Sequence, residues 1–532
     1  MQGLLKYGCI PKEWWLKMQR TKKMRYSWFR ILLLRRLTVI LLMLLQVCFL
    51  VYLFHSESYI SGILRTAIRV ASGFLVLYII SKKDKGANKV TWVFLILVLP
   101  LFGGLLYLMY YFQASTRTFE KRILQIEKRN RKLYELPGNA SELTSDALQH
   151  ISQIRYLQYA GFPVYDSTET EYFSPGEAFF CELLLELGKA ERYIFLEYFI
   201  VQEGTMWNSI LNVLKEKAGQ GVEVRILYDD IGCFLTLPKD YAEQLGSYGI
   251  KCAVFNPFRP ILSAVQNNRD HRKIMVIDGK VAFTGGINLA DEYINAFEKH
   301  GYWKDAGIKV KGKAAWSFTM MFLEMWELCR EEREEAEKFF PESGYFNETG
   351  EDGFVLPYAD SPMDDENVGE HVYLQILNSA KDYVYICTPY LIVDDSMVSA
   401  LCLAAKSGVD VRIITPHIWD KALIHMTTRS YYRELIQRGV KIYEYSNGFM
   451  HSKTFVSDDS TATVGTTNLD FRSLYLHFEC GVWMYGSKAV MQVKNDFLAT
   501  LKQCHQIQPE ECKGNLITRL FQNFLRVFAP LM

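Results

Sequence analysis

Hydrophobic positions along this chain follow two patterns. Near the N-terminus they run together: residues 37–54 are 18 positions without a charge and residues 90–112 are 23. Each run is long enough to cross a bilayer core of roughly 30 Å at about 1.5 Å per residue, so both predict transmembrane helices. Residues 70–80 are also apolar, but Arg65 and Arg69 at the entry side make this a short or snorkelling span, or an interfacial helix. Two spans or three are both open. No short apolar core with a small-residue cleavage site marks a signal peptide.

Beyond Lys132 apolar and polar positions interleave at shorter periods. "ERYIFLEYFI" (191–200) and "GVEVRILYDD" (221–230) predict strands, and "WNSILNVLKEKAGQ" (207–220) between them predicts a helix. The order returns in "KDYVYICTPYLI" (381–392), "SALCLAAKSG" (399–408) and "VDVRIITP" (409–416), and "LGSYGIKCAVFNP" (245–257) answers to "LIQRGVKIYEYSN" (435–447). A period of about 180 residues is too long for a solenoid, whose units run roughly 20–50 residues. It predicts an α/β fold of two homologous lobes, mixed sheets flanked by helices, behind a membrane region. The expected divisions are 1–115 (membrane anchor), 116–165 (basic juxtamembrane linker), 166–356 (first lobe), 357–508 (second lobe) and 509–532 (C-terminal amphipathic helix).

Charge adds a topology. Residues 17–36 hold eight basic side chains and residues 117–132 hold seven, so the positive-inside rule puts both flanks in the cytoplasm, requires an even number of crossings, and leaves the lobes cytoplasmic. The net charge of +1 gives no reason to expect a nucleic acid partner. Nine of the 11 cysteines lie beyond residue 113 without a pairing pattern, which reads as reduced thiols; no CxxC pair suggests zinc.

The duplication carries chemistry. "DHRKIMVIDGKVAFTGGINLADEY" (270–293) aligns without a gap with "MHSKTFVSDDSTATVGTTNLDFRS" (450–473), matching His271, Lys273, Asp278, Gly285 and Asn288 to His451, Lys453, Asp458, Gly465 and Asn468. On a strand, residues i and i+2 share a face, so each histidine would stand beside its lysine while Arg272 or Ser452 faces away. Glycine allows close backbone approach and the asparagine amides can donate to an anion, which together describe a phosphate site. A single His-x-Lys pair is usually a solvated edge; two copies, one per lobe, are not.

This duplicated HKD motif resembles the phospholipase D superfamily, and within it the bacterial cardiolipin synthases. Further supporting stretches are residues 91–112, "YWKDAGIKVKGKAAW" (302–316), "CTPYLIVDD" (387–395), "GTTNLDFRS" (465–473) and "RVFAPLM" (526–532). The resemblance implies phosphatidyl transfer from one phosphatidylglycerol to another, giving cardiolipin and glycerol through a phosphohistidine, without cofactor or metal. It favours His271 as nucleophile and His451 as acid and base, with Lys273, Lys453, Asn288 and Asn468 on the phosphate oxygens. Asp278 and Asp458 complete the motif, as buttresses rather than substrate contacts, and Asp305 and Glu479 stand where relatives orient the histidines. Gly286 and Thr466, where many relatives carry serine, are expected to bear on phosphate contacts. Hydrolysis by a membrane-bound phospholipase D, action on nucleic acid, and a noncatalytic scaffold are the alternatives.

Other features read more plainly. His417, His425 and His477 are expected to be hydrogen-bonded structural histidines, and residues 324–340 a helix with a solvated charged face. In residues 515–532, Leu516, Ile517, Leu520, Phe521, Phe524 and Phe528 share one helical side. This fits a docked helix or a membrane-surface helix equally.

Overall fold

The computed structural model describes Cys48, Tyr52 and residues 59–111, 114–135, 151–258, 265–341 and 353–531. The span expected at 37–54 therefore lies outside the described residues apart from those two positions. Helix α1 (Tyr59–Ser81) contains the one described stretch long and apolar enough to cross a membrane, Gly62–Ser81, 20 residues of mean hydropathy 1.8. The apolar run at 70–80 is thus part of a full-length helix rather than a short one.

The single helix expected over 90–112 is not formed. The chain makes α2 (Gly86–Val98) and α3 (Pro100–Tyr111), with Leu99 between them at φ −130° and ψ 73°. Pro100 is the cause: its ring disfavours the helical region for the preceding residue. The rings of Trp92 and Tyr107 lie 5.3 Å apart, whereas 15 residues on a straight helix would separate them by about 22 Å. The chain doubles back as a hairpin, and each arm, about 20 Å long, is shorter than a bilayer core.

Helix α4 (Ala114–Asn130) and helix α5 (Ile151–Ala160) follow. They pack on the lobes: Arg129 pairs with Glu327 at 2.6 Å, and Ile154 and Leu157 enter the second lobe's core.

The first lobe runs β1 (Thr168–Phe173), α6 (Gly176–Gly188), β2 (Tyr193–Tyr198), α7 (Thr205–Gly219), β3 (Glu223–Asp229), β4 (Lys251–Phe255), β5 (Arg269–Asp270), β6 (Lys273–Ile277), β7 (Val281–Gly285), β8 (Tyr302–Lys304), β9 (Gly307–Gly312) and α8 (Ala315–Arg330). The second runs β10 (Phe354–Asp360), α9 (Val368–Ser379), β11 (Tyr383–Cys387), β12 (Leu391–Ile392), α10 (Asp395–Lys406), β13 (Asp410–Pro416), α11 (Ala422–Gln437), β14 (Lys441–Tyr445), β15 (Gly448–Met450), β16 (Thr454–Ser457), β17 (Thr461–Gly465), β18 (Leu469–Asp470), β19 (His477–Tyr485), α12 (Lys488–Leu501) and β20 (Cys504–Gln506). Helix α13 (Leu516–Val527) closes the chain.

The duplication is visible in the sheets. Strand order β1-β9-β7-β6-β2-β3-β4 in one repeats as β10-β19-β17-β16-β11-β13-β14 in the other, with β20 added at the edge. In each, the three strands β2-β3-β4 or β11-β13-β14 are parallel and the rest antiparallel.

The lobes share a core. One apolar cluster takes Phe195, Ile274 and Phe318 from the first lobe and Val456, Val482 and Phe497 from the second. Helix α8 lies within it, and the charged helix expected at 324–340 is corrected accordingly. The helix stops at Arg330, where Glu331 turns left-handed at φ 60°, and Trp316 to Leu323 are all buried. Most of the charge run follows the helix instead of covering it. Nine described cysteines are free thiols.

Candidate active site between the lobes

Each motif reaches the cleft by pairing with the opposite lobe. Strand β5 runs parallel to the start of β19, and the His271 amide then donates to the Phe478 carbonyl at 2.9 Å. Strand β8 runs parallel to β15, and the His451 amide donates to the Lys304 carbonyl at 2.8 Å. The residue after each of those carbonyls is a carboxylate. His271 Nδ1 lies 2.9 and 3.0 Å from the two oxygens of Glu479, and His451 Nδ1 lies 2.6 Å from Asp305 Oδ2. Each imidazole is therefore held by the other lobe's carboxylate, not by the one that follows it in its own lobe.

The histidines do not sit on strands as expected; they precede β6 and β16, because their amides are used to bridge to the other lobe. The lysines fold back to them. Lys273 Nζ donates to the His271 carbonyl at 2.6 Å, and Lys453 Nζ lies 2.8 Å from His451 Nδ1. Arg272 faces away as expected, 3.7 Å from buried Glu197.

A cleft of about 750 Å³ between the lobes is lined by His271, His451, Asn288, Asn468 and His477. Asn288 accepts from the Ile200 amide at 3.1 Å and donates to Tyr293 Oη at 2.8 Å, so part of its amide is already used. Asn468 Oδ1 is buried without a hydrogen-bond partner among the described residues.

Asp278 and Asp458 do not line the cleft. Asp278 accepts from the amides of Glu191, Arg192 and Tyr193 at 2.8–2.9 Å, and Asp458 from those of Lys381, Asp382 and Tyr383 at 2.7–3.0 Å. Both stand at positive φ, 54° and 51°, in the turn joining the motif strand to the next. They clamp that turn to the start of β2 or β11.

Gly286 and Thr466 stand against Asp305 and Glu479. A Cβ at Gly286 would lie 2.1 Å from Asp305 Oδ1, so only glycine fits. At the matching place the longer Glu479 reaches past, and Thr466 has room to donate to it from Oγ1.

The walls differ as well. Two residues before Asp305 stands Trp303, 5.2 Å from the His451 ring, with Tyr293 at 5.4 Å. Two residues before Glu479 stands His477, 5.6 Å from the His271 ring. His417 bonds Glu444 at 2.8 Å, as a structural histidine should. His477 breaks that expectation: its side chain is 10% exposed, neither ring nitrogen has a hydrogen-bond partner among the described residues, and the Glu479 carboxylate is 3.9 Å away. The signal was its place two residues before Glu479, which puts both on one strand face.

Burial governs the electrostatics. It drives the His271 imidazole well below its usual range, helped by Lys273, and His451 down to about 4, where Lys453 adds to the effect and Asp305 opposes it. It also lowers Lys273 to about 8 and Lys453 to about 7, and raises the Glu479 carboxyl. A neutral imidazole whose Nδ1–H donates to a carboxylate presents the Nε2 lone pair to the cleft. Among the described residues, only His271, His477 and Glu479 bring ligand atoms within 4.8 Å of one another as a metal would need, and two of the three are engaged in the His271–Glu479 hydrogen bond.

Residues 183–319 and 373–501, which contain both motifs, match the family described as cardiolipin synthase, PLD-like domain. Cardiolipin synthases of Alkalihalophilus pseudofirmus and Geobacillus thermodenitrificans are 32% and 34% identical over 90% and 88% of this chain and 95% and 94% of their own. The chain belongs to the cardiolipin synthase family. Residues 70–109 additionally match a phospholipase D-nuclease N-terminal region, so the hairpin belongs with the family's N-terminal part. An uncharacterized protein of Streptococcus mutans is 44% identical over 86% of this chain and 99% of its own. In fold, the chain is similar to phosphatidylserine synthase of Haemophilus influenzae, with a TM-score of 0.53 at 16% identity over 68% of this chain and 93% of that one. This cardiolipin synthase family member is thus a membrane-associated enzyme of the phospholipase D type.

Proposed function

We propose that the protein transfers a phosphatidyl group from one phosphatidylglycerol to the headgroup hydroxyl of another, forming cardiolipin and releasing glycerol. The observation that carries this reading is the pair of buried imidazoles across one cleft, each with Nδ1 held by the opposite lobe's carboxylate. In the first step one neutral imidazole bonds through Nε2 to phosphorus, the bond from phosphorus to the glycerol oxygen breaks, and the other, which enters the step as the imidazolium beside its carboxylate, gives that oxygen its Nε2 proton. In the second, that imidazole takes the proton of the incoming lipid hydroxyl, whose oxygen bonds to phosphorus as the phosphohistidine bond breaks. Lys273, Lys453, Asn288 and Asn468 supply positive charge and donors for the nonbridging oxygens, whose charge grows during each attack. Asp305 and Glu479 keep the rings in place, and Asp278 and Asp458 brace the motif turns.

The same reading places the lobes at the cytoplasmic face. A first crossing at 37–54 and a second through α1, followed by a hairpin that returns to its own side, give the even number that the two basic flanks require. The domain divisions at 115, 165, 356 and 508 are kept as part of this proposal.

Chromatography of the products from phosphatidylglycerol vesicles tests it. Cardiolipin with an equimolar amount of glycerol is the expected outcome; phosphatidate without cardiolipin would replace transfer by hydrolysis.

A further inference from the structure

Helix α13 is amphipathic by sequence, and the structure shows which side is used. Its polar side faces the second lobe: Arg526 pairs with Glu434 at 3.3 Å and lies over the Tyr431 ring at 4.2 Å. The other side carries Leu516, Ile517, Leu520, Phe521 and Phe524, which are 42–78% exposed. Five large apolar side chains on a twelve-residue helix form a patch that water does not favour.

Three observations say what covers it. The patch is continuous with the membrane hairpin: Thr91 of α2 donates to the Val527 carbonyl at 2.6 Å, and the rings of Phe94 and Phe528 meet at 5.8 Å. Val90, Leu97 and Val98 of α2 are themselves exposed on that hairpin. Beneath α13 a cavity of about 370 Å³ is lined by Arg433, Arg438, Arg519 and Arg526 against Glu434 and Glu511, a positive balance at the level where lipid phosphates would lie. Last, the turn after α13, Ala529–Leu531, belongs to the cleft: Ala529 lines it, and Arg472, another lining residue, donates to the Leu531 carbonyl at 3.4 Å.

We propose that α13 lies in the plane of the bilayer interface with Leu516, Ile517, Leu520, Phe521 and Phe524 among the acyl chains, and that the Ala529–Leu531 turn thereby holds the mouth of the cleft at the lipid headgroups. The occupant of the patch is the bilayer, and the arginines of the cavity meet its phosphates. The inference rests on the lipid-transfer reading above and adds how a donor lipid passes from the bilayer to the buried histidines.

The test compares two forms of one substrate with the full-length protein reconstituted in phosphatidylcholine vesicles. Long-chain phosphatidylglycerol is supplied in the same bilayer, or a six-carbon-chain phosphatidylglycerol is supplied as monomers in solution. The double substitution Ile517→Glu with Leu520→Glu, both at exposed positions, should lower the ratio of bilayer rate to monomer rate at least tenfold. Ile517→Leu with Leu520→Phe should keep the ratio within about twofold of the parent protein. An unchanged ratio in the double glutamate variant overturns the proposal. Loss of rate on both substrates, together with conversion of a detergent-solubilised dimer to a monomer, also overturns it, because the patch would then be covered by a second copy. A parent protein that turns over neither substrate sinks the lipid-transfer reading as well; one that turns over both while the variant is insensitive sinks only the role of α13.

Discussion

The two halves of the cleft do the same job with different parts. Around His451 the carboxylate is the shorter aspartate, the residue against it must be glycine, and the wall is aromatic. Around His271 the carboxylate is the longer glutamate, a threonine hydroxyl donates to it, and the wall carries an imidazole with no hydrogen-bond partner among the described residues. What the copies preserve is the place of the carboxylate relative to Nδ1. Side-chain length and the small residue behind it have changed together, so neither Gly286 nor Thr466 can be understood apart from Asp305 or Glu479.

The largest test of this equivalence removes the rings. His271→Ala and His451→Ala should each lower kcat about 10⁴-fold in a phosphatidylglycerol assay, since both steps of the proposed transfer use both imidazoles. A much milder loss at either position would break the symmetry. Exchange of the supporting residue should be strongly unequal. Gly286→Thr puts a side chain into Asp305 and should cost about 10²-fold in kcat, as displacement of a catalytic group by about 1 Å does. Thr466→Ala only removes one hydrogen bond to a buried carboxylate and should cost about tenfold in kcat. Circular dichroism and thermal melting of both variants would separate a local clash from general unfolding.

The pH dependence reports the lysines. Lys453 at about 7 and Lys273 at about 8 lose their charge as pH rises, and a neutral amine does not attract a phosphodiester anion. kcat/KM, which reports the free enzyme, should fall as pH rises through about 7–8. A flat profile to pH 9 would show that the lysines stay charged. The smallest effect is expected at the wall: His477→Phe keeps a ring but removes both nitrogens, and should lower kcat/KM about three- to tenfold. An unchanged value would make the imidazole a mere spacer.

Much of this was legible in the chain. The gapless match of 270–293 to 450–473 fixed two lobes and named His271, His451, their lysines and their asparagines, because identical spacing forces identical placement on a duplicated sheet. The crossing was not legible. Asp305 follows His271 and Glu479 follows His451 in the sequence, yet each serves the other histidine, and only the pairing of β5 with β19 and of β8 with β15 reveals it. Hydropathy also misread residues 90–112, since an average over the run does not register that Pro100 acts on the geometry of Leu99. His477 stands two residues before Glu479, which puts both on one strand face, but the sequence does not show that this face lines a cleft in which the ring has no hydrogen-bond partner among the described residues.

The crossed carboxylates make the site indivisible. Either lobe expressed alone would carry a motif histidine with no carboxylate on Nδ1 and a carboxylate with no ring to hold. Two separately made halves should therefore regain function only when mixed, and a harmful change in β19 is most directly offset by a second change near His271, in the opposite half of the gene.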